Sequence, residues 1–302
     1  MYIIKRTKSG LAFDIVNHIL LTLLVVFTIY PVIFILALSL NNGFDTLKGG
    51  IWLIPRQFTL DNYVEALKDK DIVNSFVISI ARTLTGTSIS VLFIAMLAYA
   101  LCDKKLPGRG GIIKFFFITT IFSGGLIPFF ILLRDLKLIN SFWVYILPAV
   151  YSFYNMIIVR AYFENIPGSL AESAKIDGAG EVRIFFQMYI PLSLPILATI
   201  ALFTGVFHWN DWFAGSFYVS RRKLMPAATL LQLILSESTF EQSGMSNINN
   251  MMNSSFGGKM QTTTPQSLQM AFVMIITIPI VLVYPFLQKY FVKGMMIGAL
   301  KG

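Results

Sequence analysis

The chain has 302 residues, 56% of them hydrophobic and only 13% charged, with a mean hydropathy of +0.70. A soluble domain averages roughly 45–50% apolar and about 25% charged residues, so the composition excludes a disordered chain and argues against a soluble globular one. The net charge of +9 would point to a nucleic-acid partner in a polar chain, but the apolar runs overturn that reading and no nucleic acid is expected.

About 20 apolar residues cross a ~30 Å hydrocarbon core, and six runs meet that length. The first covers about 15–40, with Pro31 as an internal kink. Lys5, Arg6 and Lys8 before it fit the start of a signal peptide. The run is too long for one and no small-residue cleavage site follows, so a retained helix is expected. Residues 41–71 read as a folded external connection, with Trp52 and Pro55 preceding a short amphipathic helix over Thr59–Leu67. The second run, 72–102, carries Arg82 in its first third and ends on Cys102, the lone cysteine. One cysteine forms no intrachain disulfide, and with two histidines no metal site is expected. The third run, 112–133, contains Ser123-Gly124-Gly125 and Pro128. The fourth is 142–163, the fifth about 189–214 and the sixth about 268–290. Between the last two lies a long external stretch, 215–267. Its part from 236 is rich in Ser, Asn, Gln, Met and Thr, with a Gly257-Gly258 pair. This reads as a mobile loop or one that orders against a partner. Asn253-Ser254-Ser255 matches a glycosylation sequon by chance.

Lys and Arg in short loops set orientation. The N-terminal group shares a side with Lys104, Lys105, Arg109 and Lys114, with Arg160, Lys175 and Arg183, and with Lys289, Lys293 and Lys301. Basic residues on the opposite side lie partly in two long loops, which weigh less. Both termini are expected in the cytoplasm of a bacterial cell, the chain crossing its plasma membrane six times. No Walker A pattern occurs anywhere, so ATP binding by a P-loop is not expected of this chain.

Residues 164–191 differ from their surroundings. Pro167 and Ser169 suggest a helix start, with Glu172 three residues after Ser169 as a capping box. Gly178 and Gly180 break that helix, and a second short helix follows from about Glu181 to Tyr189. The bland reading is an amphipathic surface segment; the sharper one is a docking element for a cytoplasmic partner.

The spacing Glu172-Ser173-Ala174, Gly178, Met188-Tyr189-Ile190-Pro191 resembles the EAA loop of binding-protein-dependent ABC import permeases. Asn74-Ser75, Ala98-Tyr99-Ala100-Leu101, Phe122–Pro128, Leu138–Ser141 and Tyr284–Gly294 are similar to the maltose-permease-like carbohydrate-uptake family, in its branch for complex oligosaccharides and polysaccharide fragments. The resemblance covers nearly the whole chain. It implies an all-α integral membrane protein with six transmembrane helices, one permease domain over 1–302, and a coupling loop between helices four and five. It further implies a second permease subunit, two cytoplasmic ABC ATPase subunits that bind ATP and Mg, and an extracellular solute-binding protein that delivers a glycan. The Phe-, Asn- and Lys-containing composition fits a low-GC Gram-positive source, in which that binding protein would be a lipoprotein. No catalytic residue and no cofactor are expected in this chain.

Under the resemblance Glu172, Ser173, Ala174, Asp177, Gly178 and Pro191 become ATPase-coupling candidates. The alternatives are Glu172 as only a helix-capping carboxylate, which the resemblance ranks below an ATPase contact, Gly178 as a plain C-cap, and Asp177 as a cap for the second helix. Substrate-path candidates are His208, Trp209, Asn210, Asp211 and Trp212, where aromatic faces could stack on pyranose rings; belt anchoring is the alternative. Gly124 and Gly125 could mark a broken helix lining a cavity or only close packing. Arg82 is a candidate as an ionisable residue within a span, or it snorkels to the outer face. A secondary transporter would want internal repeats and intramembrane acids for ion coupling, and the spans are nearly acid-free. An importer for another solute remains within the ABC class, and a membrane scaffold would not need the loop's spacing.

Overall fold

The computed structural model describes residues 8–68, 70–243, 263–279 and 281–282. The mobile-loop reading, the sequon and the Tyr284–Gly294 motif lie largely or wholly outside these residues. Among the described residues the fold is helical, with one isolated antiparallel bridge between Asn41 and Phe58. The chain divides into two compact units, residues 1–69 with 234–277 and residues 70–233 with 278–302.

In the first unit, α1 (Lys8–Ser39) passes through Pro31 without ending. It is apolar on every side and exposes most of its large side chains, the pattern of a helix whose solvent is lipid or another helix. Its last turn buries Ala37 and Leu38 against Ile51, with Phe34 and Met270 packed alongside. Then α2 (Gly43–Leu47) starts on Asn42, whose Oδ1 accepts from the Phe44 and Asp45 amides. The connection to α3 (Asp61–Lys68) is organised by buried amide side chains. Asn62 donates to the Ser39 and Asn41 carbonyls at 2.8 and 2.9 Å. Ser267, on α14 (Pro265–Pro279), donates to Asn62 Oδ1 at 2.7 Å. Asp45 accepts from Asn41 and Arg56. The Asn41 hydrogen bond first, and Arg56 beside it, hold the Asp45 carboxyl below its ordinary range.

The second unit is built on α4 (Lys70–Cys102), which packs against α7 (Phe153–Phe163) and α11 (Leu194–Asn210). Ala95 and Ala98 are fully buried among Ile94, Leu101, Met156, Val159, Phe163, Leu197 and Ile200. Small side chains let helix backbones approach where lipid supplies no hydrophobic drive between helices. Gly86 makes the same contact tighter, because a Cβ there would collide with the His208 ring.

By length and composition, α1 from Gly10 and α4 can each cross a membrane unbroken. The next three apolar runs are bent pairs rather than single rods. The third run is α5 (Arg109–Ile121) and α6 (Leu126–Asp135), turned by 115°. Gly125 sits at φ 84° and ψ 176° between them, backbone open essentially to glycine alone. The fourth run does not begin as an α-helix. Phe142–Tyr145 and Leu147–Ala149 are 3₁₀ turns, and a 52° bend with Ser152 as N-cap leads into α7. The fifth run starts earlier than its expected boundary at 189 and breaks at Ser193, with an 82° bend. It also ends at Asn210, short of the expected residue 214. The stretch from 215, expected as loop, instead holds most of α12 (Phe213–Tyr218) and α13 (Ala227–Ser243). These labels leave α8, α9 and α10 for the segment between α7 and α11.

Candidate functional site

Two places carry chemistry, and the first is the segment after α7. Here α8 (Gly168–Ile176) begins on Pro167, with no side-chain hydrogen bond at its start. The expected capping box is therefore absent: Ser169 and Glu172 both lie inside the helix, because Pro167 already fixes the entry φ. The helix ends on Asp177 as C-cap. Gly178 follows at φ 79°, the Gly178 amide reaches the Lys175 carbonyl at 3.0 Å, and the Ala179 amide reaches Ala174 at 2.9 Å. This is a Schellman stop, which needs the left-handed residue that glycine supplies. Glu172, Ser173, Asp177 and Gly178 are exposed and Ala174 is half-buried.

Next come α9 (Glu181–Ile184), a π-helical turn over Phe185–Tyr189, and α10 (Ile190–Leu192), which contains Pro191. Glu181 ties this piece to its neighbours, accepting from Lys175 Nζ and from the Tyr99 hydroxyl, each at 2.6 Å. Those two bonds, Lys175 first, lower the Glu181 pKa, and the same contact raises that of Lys175. Tyr99 also packs on Phe185 and Tyr189, with ring centroids 5.3 and 4.7 Å apart. On the other flank Glu164 accepts from Arg109 at 2.6 Å and from Arg160 at 3.0 Å. Both ends of the segment are thus pinned to α4, α5 and α7, while its tip is bare. Ile176 is 87% exposed and Val182 72%. An apolar tip held on a pinned frame can press on a partner surface and transmit displacement.

Sequence reasoning missed Glu181, Lys175, Glu164 and Arg109 as members of this frame. The signal for Glu181 was an acid placed directly after Gly180 at a helix start, where the helix dipole favours it. Tyr99 lay within a quoted motif, without a role.

The second place is inside the helix packing of the second unit. Arg82 is 0% exposed and pairs with Asp211 through its guanidinium. Its Nη1 also donates to the Asp211 carbonyl at 2.9 Å, and its charge lies 4.6 Å from the centroid of the Tyr145 ring. The snorkelling alternative therefore does not hold: the side chain turns inward to a carboxylate. Asp211 occupies the break between α11 and α12, where its Oδ1 accepts from the Phe213 and Ala214 amides at 3.0 and 3.2 Å. His208 is fully buried one turn earlier, its ring lying over Gly86. So Arg82, His208 and Asp211 come together. Asn210 and Trp212 are exposed beside them and Trp209 is half-buried, and the Trp212 carbonyl accepts from Thr229 at 3.0 Å. Gly124 and Gly125 stand at the α5–α6 break with open space around Gly125.

Beside the ion pair opens a cleft of about 520 Å³, lined by Tyr145, Tyr151, Asn155, Thr204, Phe207 and Asp211 among others. Of the residues expected to face substrate, only Asp211 reaches it. A legible signal did exist. Ser75, Ser79, Arg82, Gly86 and Ser90 recur at helical spacing in α4 and are all buried, a polar and small stripe in an otherwise apolar helix.

Residues 9–297 match the family described as binding-protein-dependent transport system inner membrane component. The polygalacturonan/rhamnogalacturonan transport system permease protein YtcP of Bacillus subtilis (strain 168) is 36% identical over 290 residues, covering 96% of this chain and 98% of that protein. Protein LplC of the same organism is 34% identical over 304 residues, covering 100% of this chain and 99% of its own. A chain in the crystal structure of a bacterial ABC transporter involved in the import of the acidic polysaccharide alginate superposes with a TM-score of 0.84. It is 30% identical and covers 94% of this chain and 98% of that one.

Proposed function

Because this chain belongs to the family of binding-protein-dependent transport system inner membrane components, we propose that it is the permease subunit of an ATP-driven ABC importer for oligosaccharides or polysaccharide-derived glycans. It is a transport component of the inner membrane. A second permease completes the pathway, and an extracellular solute-binding protein, lipid-anchored in a Gram-positive cell, delivers the glycan. Two cytoplasmic ATPases bind ATP and Mg and carry out hydrolysis, so this chain needs no cofactor of its own. Both termini and the 164–191 segment face the cytoplasm. Relatives named for polygalacturonan/rhamnogalacturonan and for galactooligosaccharides, with the alginate importer, support the glycan class.

The observation that carries the coupling role is the pinned frame with the bare tip. Tyr99, Glu181 and Lys175 fix α9 to α4 and α8, so a push at Ile176 moves helices rather than bending a loop. Closure of the ATPases would swing these helices from inward-facing to outward-facing, and hydrolysis would reset them. Glu172, Ser173, Ala174, Asp177 and Gly178 lie on or beside the contact surface. Pro191 links the loop to the fifth span. Arg82, Asp211 and the cleft belong to the transmembrane path, with His208, Trp209, Asn210, Trp212, Gly124 and Gly125 as its further candidates.

The test replaces an exposed residue, so that folding is not at stake. In the reconstituted complex, Ile176→Asp is expected to cut binding-protein-stimulated ATPase activity by at least about tenfold, in line with loss of a buried hot-spot side chain, while the permease assembles in the membrane at wild-type level. Full stimulation in this variant, or no ATPase associated with the wild-type chain, would overturn the assignment.

A further inference from the structure

The connection between α2 and α3 carries an exposed apolar tip. Trp52, Leu53 and Ile54 are consecutive, and Ile54 is 78% and Trp52 67% exposed. The tip stands on a braced neck. Gly49 and Gly50 turn the chain at φ 71° and 74°. Arg56 closes that turn: its Nη2 donates to the Gly49 carbonyl at 2.7 Å and the Asp45 carbonyl at 3.1 Å, and its Nε to the Asp45 carboxylate at 3.1 Å. The Asn42 amide donates to the Gln57 carbonyl at 2.9 Å, the Gln57 amide to Asn41 Oδ1 at 2.8 Å, and the Thr59 amide to the Leu40 carbonyl at 2.9 Å. The turn is thereby fastened to the residues that directly follow α1. Large apolar side chains held outward on a fixed support mark a contact surface.

Depth identifies what is contacted. From Gly10 to Ser39, α1 has 30 residues, about 45 Å at 1.5 Å each. That length matches a hydrocarbon core together with both headgroup layers, roughly 40–45 Å. Lys8 opens the helix at one headgroup level. Its last turn, with Ala37 and Leu38, then lies in the opposite headgroup layer. Ile51 packs on those two residues and shares their depth. Trp52, Leu53 and Ile54 follow within at most about 11 Å of Ile51, the reach of three residues. Tryptophan concentrates at this level of a bilayer, and leucine and isoleucine reach from it into the acyl boundary. The tip therefore continues the exposed apolar surface of α1.

We propose that Trp52, Leu53 and Ile54 form an interfacial anchor. They insert into the headgroup–acyl boundary of the leaflet opposite the N-terminus and hold the end of α1 at a fixed depth. The partner is the phospholipid surface itself. The inference uses neither the glycan nor the ATPase reading and needs only that α1 crosses the membrane.

The test uses the complete complex in nanodiscs of phosphatidylethanolamine and phosphatidylglycerol. A small fluorophore is attached through Leu53→Cys in a chain that also carries Cys102→Ser. Three quenchers are compared: a phospholipid with a nitroxide near the glycerol, one with a nitroxide near the acyl-chain end, and iodide in the water. An interfacial segment lies roughly 5–10 Å into the headgroup–acyl boundary, so the shallow nitroxide is expected to quench at least about threefold more than the deep one. Adding Trp52→Asp and Ile54→Asp, both at exposed positions, is expected to cut that quenching at least about threefold and to raise quenching by iodide, with the complex assembled at wild-type level. The Leu53→Cys chain alone decides the depth. Quenching by iodide only would put the tip in water, and quenching by none of the three would put a protein over it. Deep quenching as strong as shallow would put it in the hydrocarbon. Each of these results overturns the anchor. So would unchanged lipid quenching in the doubly substituted chain, because proximity would then owe nothing to the apolar side chains.

Discussion

At Arg82 the cost of burying a charge decides the local structure. An ionised group away from water must be paired and hydrogen-bonded, and Arg82 is both, through the Asp211 carboxylate and carbonyl and the Tyr145 ring. Breaking a buried pair from one side leaves the other charge uncompensated, at about 3–5 kcal/mol. Arg82→Met and Asp211→Asn are each expected to lower the unfolding free energy by that order. The double variant is expected to fall less than the sum of the two, read as a double-mutant cycle from thermal or denaturant unfolding in detergent. A charge swap is not expected to rescue, because an arginine at 211 has no oxygen to accept from the Phe213 and Ala214 amides. Little of this was legible beforehand. An arginine early in one apolar run and an aspartate at the edge of another lie far apart in sequence, and nothing in local pattern joins them.

At the scale of elements, close approach between α4 and α11 depends on Gly86. A methyl there meets the His208 ring at its Nε2, Cε1 and Cδ2 atoms. Gly86→Ala is expected to cost about 1–3 kcal/mol as overpacking, and His208→Ala in the same chain to recover most of it. Unfolding midpoints of the two singles and the double check this. The unbroken helices were readable because their apolar stretches, 30 and 33 residues long, carry only isolated interruptions such as Pro31 and Arg82. The α5–α6 break was readable too, since Gly124, Gly125 and Pro128 all weaken a helix. The bend at Ser193 and the 3₁₀ start of the fourth run were not. Both fall where the apolar composition continues, and composition does not report which backbone hydrogen bonds a packed neighbour replaces. In the same way Ser169 and Glu172 have the spacing of a cap, but with Pro167 as N-cap the helix starts two residues too soon for them to act as one.

Over the whole molecule, the anchoring of the segment between α7 and α11 carries a definite pH signature. Glu181 has its pKa lowered from 4.5. Its ion pair therefore contributes fully above that value and is lost only as pH falls through the lowered one. Lys175 has its pKa raised from 10.5, so its share persists below that value and is lost as pH rises through the raised one. Across roughly pH 6–9 neither partner changes charge. Hydrogen-exchange protection over residues 168–189, corrected for intrinsic rates, is expected to stay flat in that range. A step near neutrality would mean that a different group holds the frame. The family was legible at this scale because the spacing from Glu172 through Gly178 to Pro191 is unusual; the frame beneath it was not, since its ties run to Tyr99 and Arg109 on other helices.

The π-helical turn at Phe185–Tyr189 has a consequence for how this stretch can vary between related chains. Such a turn is an α-helix carrying one residue more than its hydrogen-bond ladder needs. Deleting one residue there restores the regular ladder and rotates everything before it by about 100°, the angle of one residue at 3.6 per turn. Glu181 would then swing away from the Tyr99 hydroxyl, and the tip bearing Ile176 would face a new direction. Changes of letter are tolerable in this stretch, but a change of length by one is a change of aim.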